Sequence, residues 1–133
     1  MENREYSVRI EKCSKELSVK EKIQMKDTTA TVSLDSLITD DGIENGVTIS
    51  VSAIALLHVH NEKASPNKDY NVHVILAGDG RRFSTSSESF YNAVLDIMDE
   101  LADADETGDF ELLVYKLPSK NFAGRSFITA TLA

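Results

Sequence analysis

The stretch "VTISVSAIALLHVHN", residues 47–61, decides how the rest of the chain is read. Val47, Ile49, Val51, Ala53, Ala55, Leu57 and Val59 alternate with their neighbours, a period of two that places them on one side of a strand. The run is longer than an ordinary strand, so it is expected to bend. A polar loop (62–69) follows, then "YNVHVILA" (70–77) with Tyr70, Val72, Val74 and Leu76 on one face. Gly78-Asp79-Gly80 signals a tight turn into the short strand "RRFST" (81–85). Together these predict a three-stranded meander.

Beyond the meander lies the strongest helix signal. Ser86, Ser87 and Ser89 offer N-caps, and Phe90, Val94, Ile97, Met98 and Leu101 form one apolar stripe. Two further strands are predicted, from Phe110 to Leu117 and from Arg125 to Leu132, joined by a hairpin. On the other side of residue 47, Tyr6, Val8 and Ile10 alternate as a half-buried strand. Ser18 and Glu21 match a capping box that opens a two-turn helix to about Asp27, and residues 28–38 are threonine-rich and β-branched, which predicts another strand.

From Val47 the predicted order is strand, strand, strand, helix, strand, strand, which is the order of an OB-fold. The expected fold is therefore β-rich α+β. It has an OB-like five-stranded barrel over 47–133, one amphipathic helix between the third and fourth barrel strands, and a strand-helix-strand extension over 1–46 packed on the barrel. One structural domain is expected from 133 residues.

Charge and composition narrow the function. The net charge of -8 equals the charge of residues 96–111, where Asp96, Asp99, Glu100, Asp103, Asp105, Glu106, Asp109 and Glu111 stand without a base. The rest of the chain balances, so a local basic surface is compatible with an acidic whole. The only cysteine, Cys13, has no disulfide partner within the chain. No apolar run reaches the roughly 20 residues of a membrane helix, and the first residues lack a signal-peptide block. A soluble, cytoplasmic protein without a membrane partner is expected.

Side chains opposite the expected core faces point to a ligand. The hairpin loops carry Lys63 and Lys68 in the first and Lys120 and Phe122 in the last. Asn71, His73, Arg81, Arg82, Phe83, Tyr115, Lys116, Arg125 and Phe127 come from the strands and their ends. Cations along a track with interleaved aromatics suit single-stranded nucleic acid, whose phosphates need charge and whose bases stack on rings.

Other chemistries find less. His58 and His60 share a strand face and His73 lies across from them, but no carboxylate or cysteine completes a metal set at a defined spacing. A calcium loop beginning at Asp103 fails because its twelfth position is Val114 rather than a glutamate. There is no glycine-rich phosphate loop or nucleophile elbow, so neither a cofactor nor enzymatic activity is expected.

Residues 47–132 resemble the small single-stranded DNA-binding proteins of tailed phages of Gram-positive bacteria. The likeness lies in "SAIALLHVHNE", "AGDGRRFSTSSESFYNAVLDIMDEL" and "FELLVYKLPSKNFAGRSFITATL". It implies a protein that coats single-stranded DNA during phage replication or recombination, without catalysis and with little sequence preference. The matching positions are Arg81, Arg82 and Phe83 after the Asp-Gly turn, and Tyr115, Lys116, Lys120, Phe122, Arg125 and Phe127 in the last hairpin. Self-association and contacts with replication proteins are the accompanying expectations. A competing expectation is a phage-encoded inhibitor whose acidic face, Asp96 to Glu111, mimics DNA toward a host protein.

Overall fold

The computed structural model describes residues 6–27, 30–63, 68–106, 108–119 and 124–133. Its strands are β1 (Tyr6–Cys13), β2 (Val32–Ser33), β3 (Val47–Asn61), β4 (Asp69–Ala77), β5 (Arg82–Thr85), β6 (Phe110–Pro118) and β7 (Ser126–Leu132). Its helices are α1 (Val19–Lys26), α2 (Leu34–Leu37) and α3 (Glu88–Asp103), with a 3₁₀ turn at Ile43–Asn45. The fold is mixed α+β and strand-rich, one curled open sheet with few helices.

The sheet runs β2-β5-β4-β3-β6-β7, and β1 also pairs with β3. The long strand β3 is its spine. β4 takes one edge from Val51 to His60, while the other edge is shared, with β6 on Val47–Val51 and β1 on Ala55–Asn61. Where β1 hands over to β6, Ser14 N–H donates to the Ile54 carbonyl at 2.9 Å and Ile54 N–H donates to Ser14 Oγ at 2.9 Å. That exchange satisfies the β3 backbone at a point where neither strand covers it.

The expected bend is present, and it changes which residues share a face. The β3–β4 register shifts between Val51 and Ala53. Ile49, Val51 and Ile54 join the core under α3, whereas Ala53, Ala55 and Leu57 join a second core with Leu17 and Met25. One extra residue moves every later side chain to the opposite face. The single apolar side expected from Val47 to Val59 is thus two half-sides.

The sheet is buried on both faces at its centre. On one face α3 lays Phe90 and Val94 against Ile75, Phe83, Leu112, Val114 and Ile128. On the other, the N-terminal segment buries Leu17 and Met25 against Val74 and Leu57. Ser18 caps α1 with the expected reciprocal capping box to Glu21. Ser87 caps α3, its Oγ accepting from Phe90 N–H.

The strand expected over 28–38 is largely absent among the described residues. Only Val32–Ser33 pairs, in parallel with Phe83 and Ser84, and α2 begins at Leu34. Leu34 and Ile38 are both buried and lie four residues apart, so one helical turn is what brings both to the core. Packing overrides the β-propensity of the segment.

Candidate nucleic-acid interface

The last hairpin is built by alternation. On β6 and β7, Leu112, Val114, Ile128 and Ala130 point into the core. Their neighbours Leu113, Tyr115, Leu117, Phe127, Thr129 and Thr131 therefore share the outer face. The register pairs Tyr115 with Thr129 and Leu117 with Phe127. Tyr115 and Phe127 are thus diagonal neighbours, a relation that spans about 7–8 Å and lies within reach of aromatic side chains. Phe127 is 38% exposed and Tyr115 is half-buried. The two rings and Leu117 make an aromatic-aliphatic surface at the outer end of the sheet.

Residues 35–46 brace this hairpin near its loop end. Gly42 N–H donates to the Lys116 carbonyl at 2.8 Å, Ser126 Oγ donates to Asp41 Oδ1 at 2.6 Å, and Lys116 Nζ donates to the Asp35 carbonyl at 2.7 Å. Gly46 lets the chain enter β3 against β6, because a Cβ there would stand 2.5 Å from the Val114 carbonyl and 3.0 Å from Tyr115 Cβ. Gly42 sits at φ +108°, a conformation that side chains rarely adopt. The extension expected over 1–46 thus reaches the last hairpin, through contacts with residues more than 70 positions away that its own sequence does not mark.

No family model, no curated protein and no solved structure matches this chain. Its functional reading rests on its own geometry.

The remaining expected site residues do not gather at Tyr115 and Phe127. His73 is buried beneath α3, 1% exposed and stacked on Tyr91, and Phe83 is a core residue, so the outward placement expected for both is corrected. Period two shows only which residues share a face, and α3 covers the face that carries His73 on β4 and Phe83 on β5. Arg82 alternates to the side opposite Phe83, half-buried, with no hydrogen-bond partner for its Nε among the described residues. Arg81 Nε donates to Asp79 Oδ2 at 2.7 Å, and its guanidinium lies 5.3 Å from the Phe83 ring centroid. Lys116 faces the core side of β6, not the outer face. Arg125 is exposed at the foot of β7, while Lys120 and Phe122 lie outside the described residues.

Lys63 and Lys68 belong to the other end of the molecule. Because Val47 pairs with Val114, the β6–β7 hairpin extends past the start of β3, whereas the β3–β4 hairpin leaves its end at Asn61. Lys68 is paired with Glu62 at 3.0 Å. Beside it, Asp69 Oδ1 lies 2.9 Å from His60 Nδ1 and 3.0 Å from His58 Nε2, and Glu62 Oε1 lies 2.8 Å from His60 Nε2. Hydrogen bonding to Asp69, then to Glu62, raises the His60 pKa above its ordinary value. Hydrogen bonding to His60, then to His58, holds the Asp69 carboxyl below the usual carboxylate range. This end is a largely self-neutralising network. Among the described residues, no group of three or more His, Cys, Asp or Glu is placed to hold a metal ion.

Among the described residues, no helix is long and apolar enough to cross a membrane. The acids of α3 point outward, with Asp96, Asp99, Glu100 and Asp103 all exposed and no base in the last turn.

Proposed function

We propose that this chain binds single-stranded DNA without catalysis, using the outer face of the β6–β7 hairpin as a stacking surface. The observation that carries the reading is the co-facial, diagonal placement of Tyr115 and Phe127 beside Leu117 on an antiparallel pair. Bases stack on such rings with little regard to sequence, and a cation at the loop end of the hairpin, Arg125, meets the phosphates. The strand order β5-β4-β3-β6-β7, with α3 between β5 and β6, supports an OB-like half-barrel in which β6 and β7 are the last two strands. In this reading the protein coats exposed single strands during phage DNA replication or recombination in the host cytoplasm.

The test is a titration against a fluorescent single-stranded oligonucleotide and its duplex, at low and at moderate salt, with tyrosine emission recorded. Preferential single-strand binding that weakens with salt and quenches tyrosine is expected. No binding at low salt overturns the reading. A second reading, an inhibitor that binds a host protein, draws support from the exposed acids of α3. Neutralising Asp99, Glu100 and Asp103 abolishes such an inhibitor and leaves a DNA binder intact.

A further inference from the structure

A second surface lies far from the aromatic hairpin. Between α1 and β1 runs a groove of about 550 Å³. Val8, Ile10 and Leu17 line it together with Val19 and Ile23 from α1. Val19 is 74% exposed and Ile23 65%, the most exposed large apolar side chains among the described residues. They stand four residues apart, so they form one ridge along the helix, next to a parallel ridge of Lys22 and Lys26. Arg9 and Lys15 are also on the lining; Arg9 is paired with Glu11, and against the single lining acid among the described residues, Glu16, the three lysines leave the rim net basic.

The same chain carries the matching surface. The outward face of α3 exposes Leu95 and Ala102, seven residues apart and hence on one stripe, flanked by Asp96, Asp99, Glu100 and Asp103. An apolar stripe edged by acids complements an apolar groove edged by bases. The two surfaces are on different elements, with α3 covering one face of the sheet and α1 the other. A chain that offers both ends of such a contact on opposite sides joins head to tail, not face to face.

We infer that the α1–β1 groove receives the acidic ridge of α3 from a second copy of this chain, giving heterologous, open-ended self-association. Charge complementarity selects this occupant: the ridge carries four exposed carboxylates, and the groove rim carries Lys15, Lys22 and Lys26 besides the Glu11-paired Arg9. The contact is electrostatically steered and weakens with salt, while the apolar stripe supplies the burial that holds it. It does not depend on the nucleic-acid reading.

Sedimentation velocity of the purified chain tests it, over a wide concentration range at low and high salt. The wild type is expected to gain mass with concentration at low salt and to lose it at high salt. Two charge-reversed variants, Lys22→Glu with Lys26→Glu and Asp99→Lys with Asp103→Lys, are each expected to stay monomeric when alone. Mixed one to one they are expected to associate again, because each supplies the charge the other lacks; this rescue also shows that both fold. Circular dichroism of each variant checks the fold independently. A wild type that is monomeric throughout overturns the inference, as does association that either variant retains by itself. Should the lysine variant lose affinity for a single-stranded oligonucleotide while the wild type stays monomeric, the groove is a nucleic-acid contact and the inference fails.

Discussion

His73 lies flat against Tyr91, with ring centroids 4.2 Å apart and planes 15° from parallel. The imidazole is 1% exposed and neither ring nitrogen has a hydrogen-bond partner among the described residues; the Glu88 carboxylate stands 3.4 Å from Nε2. Burial pushes the His73 pKa below its ordinary value, and the Glu88 carboxylate only partly opposes this. The unfolded chain therefore binds a proton near pH 6.5, at about the ordinary histidine value, before the folded chain does. Stability from this residue is full above about pH 6.5 and declines as the pH falls toward the depressed folded value. His60, whose pKa is raised, acts in the opposite sense, so the comparison must be with a variant. His73→Phe keeps the stacked ring and removes the titration. Relative to this variant, the wild type's urea midpoint is expected to fall as the pH is lowered from mildly alkaline to mildly acidic.

Tyr115 and Phe127 are expected to act as one surface. Replacing either with alanine should weaken single-strand affinity by about 1–3 kcal/mol across all sequences, read by fluorescence anisotropy. Melting temperatures should move little, since neither side chain lies in the described cores. Unchanged affinity in both variants would remove the stacking site.

Phe83 is expected to behave as the opposite case. Buried against Ile75 beneath α3, it should cost about 3–5 kcal/mol of stability on replacement by alanine. Affinity per folded molecule should be unchanged. Denaturant unfolding and an anisotropy titration of the same preparation separate the two effects.

Gly46→Ala is expected to loosen the junction between β3 and β6. The backbone there is in an ordinary extended conformation, so the cost is steric: the new methyl meets the Val114 carbonyl. A loss of about 1–3 kcal/mol is expected, seen as a lower melting temperature. Amide exchange at Val114 and Tyr115 should rise with it.

Met25 ties α1 to the second core, at 1% exposure. Met25→Ala should destabilise by about 2–5 kcal/mol. If the N-terminal segment folds with the sheet it joins, that loss appears in a single cooperative unfolding transition measured by both circular dichroism and tyrosine fluorescence. Two separate transitions would show that the segment folds on its own.

Short-range regularities were legible in the sequence. Alternation located β1, β3, β4, β6 and β7, Ser18 with Glu21 marked the start of α1, and the stripe from Phe90 to Leu101 marked α3. These signals are local, set by side-chain spacing and by hydrogen bonds within a few residues, so no distant contact is needed to read them. That Tyr115 and Phe127 lie on the last two strands was legible for the same reason, whereas their diagonal relation needed the register of β6 and β7.

Which faces are dry was a tertiary decision. Alternation could not place His73 or Phe83, because α3 covers one side of β4 and β5 while Leu17 and Met25 cover the other side of β4. The register shift after Val51 leaves no mark in the residue pattern, yet it sends the two halves of β3 into different cores. The helical turn at Leu34 and the clasp from residues 35–46 onto Lys116 and Ser126 likewise depend on partners dozens of residues away. Sequence by itself determined most of the elements and the alternation along each; burial and long-range hydrogen bonds, which exist only once the sheet has curled, decided where that alternation breaks and which faces meet solvent.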